Sequence, residues 1–151
     1  MEKITRKRYI ELLKELNDLK QNIIPNIKIK IEDARKNGDF SENAELQSEL
    51  RNKVEKEYKY NKISEILSNS EVIDFSDTEK NDKVQLGSKV EVNINDVVQT
   101  YCIVCQYDTD LKNGKIYYNS PLAKQLIGKK IGDVFLFLNR EYKILNIDFD
   151  Q

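Results

Sequence analysis

The residues with the most chemical potential are two carboxylates, Asp39 and Glu42, within Asp33-Ala-Arg-Lys-Asn-Gly-Asp-Phe-Ser-Glu-Asn-Ala-Glu45. Three apart in sequence, both can project from the start of one helix. Their oxygens are hard donors, suited to a hard cation such as Mg²⁺. Two carboxylates do not complete a metal site, so further ligands would have to come from a partner. A purely structural reading fits the same residues. Asp39 followed by Glu42 has the form of a capping box, with Asp in place of Ser or Thr. Ser41 is a competing N-cap, and acidic side chains near a helix N-terminus are favoured by the helix dipole. On pattern alone both readings stay open.

What the chain lacks narrows the chemistry further. Its 151 residues include no histidine, which removes the usual general base near neutral pH and the commonest metal ligand. Ser-His-Asp and Cys-His hydrolases are excluded, as are His-liganded zinc sites. Cys102-Ile-Val-Cys105 has C-x2-C spacing, but no second ligand pair exists to complete a zinc site. Residues three apart on a strand point to opposite faces, so these cysteines are read as strand packing. The tyrosines at 101, 107, 117, 118 and 142 are read the same way.

Charge and hydropathy bound the class of partner. Twenty-five basic side chains against 26 acidic ones give a net charge of −1. No overall positive field would gather free nucleic acid. The apolar runs are too short to span a bilayer, and the N-terminus lacks the apolar core of a signal peptide. The expectation is a cytoplasmic protein with no membrane partner and reduced thiols.

Two kinds of element must position the carboxylates. Up to about residue 70, apolar residues recur at helical spacing. Leu12, Leu16, Leu19 and Ile23 alternate gaps of four and three, and Ile27, Ile31 and Ala34 continue the stripe with a drift in phase. A second stripe runs through Leu46, Leu50, Val54, Tyr58, Ile63 and Leu67. Between them Gly38 can take the left-handed conformation that ends a helix. The pattern predicts an antiparallel helical hairpin over residues 1–70, about 45 Å long if residues 5–35 are helical. Pro25 sits inside the first stripe and predicts a kink.

Residues 71–83 are polar and acidic and read as a linker. Beyond them, over residues 84–151, the period falls to two. Val90-Glu-Val-Asn-Ile94 alternates, Asn95-Asp96 marks a turn, and residues 98–104 form the returning strand. A short strand follows at residues 116–118. A short helix over 121–127 would have Ser120 as N-cap and Pro121 at its first position, with Gly128 as its stop. A last hairpin closes around Asn139-Arg140. The fold class is α+β: a helical hairpin plus a small, mostly antiparallel sheet domain. A thin hairpin cannot enclose a substrate, so the architecture is a probe on a handle.

With these residues in place, the sequence resembles the bacterial Gre-type transcription elongation factors, closest to their GreA branch. Ala34-Arg-Lys-Asn-Gly-Asp-Phe-Ser-Glu-Asn-Ala-Glu45 is similar to the tip signature of that family. Gly114-Lys-Ile-Tyr-Tyr-Asn-Ser-Pro-Leu-Ala123 and Leu126-Ile-Gly-Lys-Lys-Ile-Gly-Asp-Val134 are similar to two further segments in order and spacing. Pro25 also falls where the family has a proline.

The resemblance implies an FKBP-like C-terminal domain and a non-enzymatic factor, expected to be monomeric, that works through bacterial RNA polymerase. The coiled coil would enter the secondary channel, and Asp39 and Glu42 would help bind a catalytic Mg²⁺ shared with the polymerase. The polymerase would then cleave the backtracked RNA 3′ end. Gly38, Asn43, Glu45 and Arg35 would support the tip. Asn119, Ser120 and Pro121 would dock on the β′ rim.

Two departures from the family concern the grip on the transcript. Leu46 stands where GreA-like members usually carry tyrosine. Residues 1–70 carry 15 basic against 13 acidic side chains, an excess of two. The alternatives are a Gre-like channel inhibitor without cleavage activity, or a structural coiled-coil adaptor whose tip motif is capping only.

Overall fold

The computed structural model describes residues 1–36, 43–74 and 82–149 and divides into two compact units, residues 8–69 and residues 1–7 with 70–151. The chain is mixed α+β.

The first unit is a helical hairpin. Helix α1 (Arg6–Asp18) runs into a π-helical turn (Leu19–Ile23), and helix α2 (Ile24–Lys36) continues from it. Helix α3 (Ala44–Ser68) packs against α2. The widened turn accounts for Pro25. A proline in an α-helix offers no N–H to the carbonyl four residues back and crowds it. Here the backbone widens just before the proline, with the Ile24 N–H bonded to the Leu19 carbonyl five residues back. A wider turn holds more residues per revolution, so side chains four apart keep to one face. That is how Leu19, Ile27 and Ile31 are all buried despite the drift in spacing.

The second stripe departs from its expected course. Leu46 and Ile63 are buried, but Val54 and Tyr58 are each 68% exposed. Each step of four residues advances about 40° around an α-helix, so Val54 and Tyr58 rotate progressively away from Leu46. The half-buried positions are instead Asn52 and Lys53, Lys56 and Glu57, Lys59 and Tyr60. These pairs keep the alternating three-and-four spacing of a coiled-coil seam. The middle of the hairpin is covered by the stems of charged side chains. Lys59 Nζ lies 2.6 Å from Glu15 Oε1 on α1.

The second unit contains two sheets. Strand β1 (Glu2–Thr5) pairs in parallel with β2 (Ser70–Ile73), Glu2 opposite Ser70 and Thr5 opposite Ile73. Residues 71–73, read from sequence as linker, are therefore strand, and residues 1–7 belong to this unit rather than the hairpin. The polar composition around Asp74 hid the short Val72-Ile73 pair, whose partner lies at the other end of the hairpin sequence. Arg6 Nε and Asp74 Oδ2, 3.1 Å apart, close the end of this small sheet.

The larger sheet comprises β3 (Ser88–Ile94), β4 (Val97–Val104), β5 (Lys115–Tyr117), β6 (Val134–Phe137) and β7 (Arg140–Phe149). Its order is β5-β4-β3-β7-β6, antiparallel except for β5, which lies parallel to β4. Val90, Val92 and Ile94 alternate inward and pack with Ile103, Ile116, Tyr142 and Ile144. Helix α4 (Pro121–Leu126) closes this core with Ala123 and Leu126. A bulge opposite Glu91/Val92 shifts the register of β7, so Ile147 joins the same core as Ile144.

The Asn95-Asp96 turn has positive φ at both residues, as the strand twist requires. The last turn sits one residue earlier than expected, on Leu138 (φ 51°) and Asn139 (φ 65°), with Phe137 paired to Arg140. No helix among the described residues is long and apolar enough to cross a membrane.

Candidate functional site

The hairpin tip is built from two helix ends. Arg35 and Lys36 sit in the last turn of α2, where positive charge opposes the negative end of the helix dipole. Arg35 is exposed, with Nη1 3.9 Å from Glu32 Oε1, a surface pair of small energetic weight. Glu45 lies in the first turn of α3, where an acidic side chain is favoured. Gly38, Asp39 and Glu42 lie outside the described residues.

Asn43 joins the two ends. Its backbone is extended (φ −78°, ψ 93°), and its Oδ1 accepts a hydrogen bond from the Leu46 N–H at 3.0 Å, which makes it the N-cap of α3. Its Nδ2 donates to the Ala34 carbonyl at 2.8 Å, across to α2. The sequence offered Asp39 or Ser41 as caps. In the structure Asn43 caps this helix start, while Asp39 and Ser41 lie outside the described residues.

Directly behind the tip, Ala34 and Leu46 pack with Ile27 and Ile31, flanked by Ile23 and Leu50. Leu46 is 5% exposed. Leu46, expected from the resemblance to stand at a tyrosine position, is a core side chain here.

The second candidate segment also folds as the sequence predicts. Ser120 caps α4, its Oγ accepting from the Ala123 N–H at 3.4 Å, and Pro121 holds the first helical position. Asn119 immediately precedes this cap.

The neighbouring tyrosines carry an arrangement that pattern reading missed. Tyr117 Oη donates to Glu2 Oε2 at 3.1 Å, and Glu2 Oε1 accepts from the Gln106 N–H at 3.0 Å. The Tyr118 hydroxyl accepts from the Lys3 N–H at 3.0 Å. Burial, with lesser help from the nearby Glu2 charge, pushes the Tyr118 hydroxyl up to about 12. It therefore stays protonated across the physiological range. These bonds fasten β1 to the sheet unit. The only sequence signal was the apolar Ile4 between polar neighbours, too short to read as a strand.

Cys105 is buried, with Sγ 3.4 Å from Asp108 Oδ2, while Cys102 is half-buried. Burial, and then the Asp108 charge, push the Cys105 thiol up to about 11. It is a neutral packing group at pH 7, since the thiolate is the reactive form. Among the described residues, no three Cys, Asp or Glu side chains cluster as a metal site.

Comparison with known proteins covers nearly the whole chain. Residues 2–72 match the family model "Transcription elongation factor, N-terminal", and residues 79–149 match "Transcription elongation factor, GreA/GreB, C-term". The transcription elongation factor GreA of Buchnera aphidicola (from Schizaphis graminum) is 38% identical over 145 residues, covering 92% of this chain and 91% of its own. The GreA of Thermotoga sp. RQ2 is 37% identical over 134 residues, covering 87% and 85%. Among solved structures, GreA factor homolog 1 of Thermus thermophilus aligns over 97% of both chains, at 20% identity and a TM-score of 0.46.

Proposed function

Because the chain belongs to the GreA/GreB family of transcription elongation factors, we propose that it rescues arrested bacterial RNA polymerase by stimulating transcript cleavage. The hairpin enters the secondary channel, carries Asp39 and Glu42 to the active centre, and supports hydrolysis of the backtracked RNA 3′ end. One observation supports this reading above the others: the match to the family's N-terminal model runs over residues 2–72, the stretch that carries Asp39 and Glu42.

The 25-residue α3 is about 37 Å long at 1.5 Å per residue, enough to reach into a channel. Its tip pair supplies carboxylate oxygens, a donor set that fits Mg²⁺ and is incomplete without ligands from the polymerase. When bound, the ion supplies Lewis-acid activation for phosphodiester hydrolysis. Asp39 and Glu42 are the residues of this chain that would hold it. Asn43 and Leu46 fix the helix start behind them. Arg35, in the last turn of α2, supplies a basic group beside the tip for the transcript. Asn119, Ser120 and Pro121 dock on the β′ rim, and the monomeric factor performs no cleavage by itself.

The test is release of short 3′ RNA fragments from backtracked elongation complexes on addition of the protein and Mg²⁺. Asp39→Ala should lower the stimulated rate by at least about 100-fold, the scale for losing a transition-state electrostatic contact, while polymerase binding persists. Bound factor that gives no stimulation would sink the proposal. Slowed nucleotide addition without RNA release would identify a channel inhibitor instead.

A further inference from the structure

The geometry points to Asn43 as a positioning residue that ties the two ends of the tip segment together, in addition to capping α3. Capping alone asks for little. A side-chain acceptor suffices, and Ser, Thr, Asp and Asn all provide one. Among these, Asn also carries an NH₂ donor on the same planar group. Both halves are engaged here: Oδ1 accepts from the Leu46 N–H at 3.0 Å, and Nδ2 donates to the Ala34 carbonyl at 2.8 Å.

The Ala34 carbonyl belongs to the last turn of α2, whose final carbonyls have no donor within the helix. The Asn43 main-chain carbonyl accepts from the Gln47 N–H at 3.1 Å and continues into α3. One residue thus pairs a carbonyl at the end of one helix and an N–H at the start of the next. Both side-chain bonds are partly buried, so water competes with them less than at an open surface.

The consequence follows from where the chain goes next. Residues 37–42 leave from Lys36 and return at Asn43, and they carry Asp39 and Glu42. A bridge between Ala34 and Asn43 sets the separation of the two anchors. Fixing the ends of a six-residue connection reduces the conformations open to it. Delivering two carboxylates to one cation is sensitive to errors of about 1 Å. Ser or Asp at position 43 would serve the cap and lose the bridge.

This inference rests on the transcript-cleavage reading, and the experiment separates the two. Asn43→Ser keeps a cap acceptor and removes the bridging donor, whereas Asn43→Ala removes both. Two observables are compared in each protein. The first is the distance distribution between spin labels at Lys36→Cys and Glu45→Cys in a Cys102→Ser background. The second is the cleavage rate at saturating factor together with the half-saturating concentration. Asn43→Ser should broaden the distances and lower the saturated cleavage rate about tenfold. Its half-saturating concentration should stay within about twofold, and amide exchange at Leu46 should stay protected. Asn43→Ala should show the same losses and also lose that protection.

If Asn43→Ser matches the wild type while Asn43→Ala does not, Asn43 is a cap only and the inference falls. Broader distances with an unchanged saturated rate overturn it as well. A wild-type protein that binds polymerase without stimulating cleavage overturns the functional reading instead, and the distances then decide the bridge by themselves.

Discussion

The hairpin and the sheet unit solve the problem of burial in different ways. In the sheet unit, Val90, Val92, Ile103, Leu126 and Ile144 are all fully or almost fully buried in one continuous core. The hairpin buries Ile27, Ile31, Ala34 and Leu46 behind its tip and Leu12, Leu19 and Ile63 elsewhere along its length, with Lys53, Lys56 and Tyr60 half-buried. Apolar burial contributes about 25 cal/mol per Å², and lysine stems cover the seam without providing a compact core. The difference teaches where each unit is sensitive. The sheet unit depends on side-chain volume in one core. The hairpin strings its buried residues, Leu12, Leu19, Ile27 and Ile63 among them, along its length, and relies as well on Asn43 at its tip and on the widened turn before Pro25.

Two substitutions in the sheet unit bring out this contrast most strongly. Leu126→Ala removes a fully buried side chain from α4 and should cost about 2–5 kcal/mol in urea unfolding. Amide protection should fall across β3, β4 and β7 and persist at Leu46 in the hairpin. An equal loss in both units would break the comparison by showing a single cooperative structure. Gly114→Ala comes next. Gly114 has φ +74°, and a Cβ there would stand 2.5 Å from the Thr100 carbonyl oxygen. The backbone must shift, at a cost of about 1–3 kcal/mol, measured the same way. A wild-type midpoint in that variant would show that the chain beside Thr100 makes room for a methyl group at Gly114 without cost.

How far the sequence disclosed this arrangement depended on the range of the interaction. Val90-Glu-Val-Asn-Ile94 was legible because inward and outward residues alternate at period two. The Asn95-Asp96 turn was legible because those residue types accept positive φ. The last turn was misplaced by one residue because it puts Leu138 at φ 51°, a conformation that no local rule would assign to leucine. Strands β1 and β2 went unread because each has four residues and its partner is distant in sequence. At the tip, Asp39 and Glu42 stood out by type and spacing. The contact of Asn43 with Ala34 did not, since it exists only once two helices have brought their ends together.

The outer face of α3 gives the smallest effect and the sharpest test of how the seam is assigned. A run of apolar residues at spacing four, Leu46, Leu50, Val54 and Tyr58, looks like one stripe in sequence. Each step turns the side chain about 40° further round the helix, and the later two end 68% exposed. Val54→Ser and Tyr58→Ser should each change hairpin stability by no more than about 0.5 kcal/mol, as exposed substitutions do. Changing the seam beside them should matter more despite its polarity. Lys56→Asp shortens a half-buried stem and places negative charge near Glu57, another half-buried seam residue, so it should destabilise more than either serine variant. Thermal unfolding followed by helical circular dichroism decides between the two assignments. If Tyr58→Ser proves costlier than Lys56→Asp, the stripe of spacing four is the true contact face of α3.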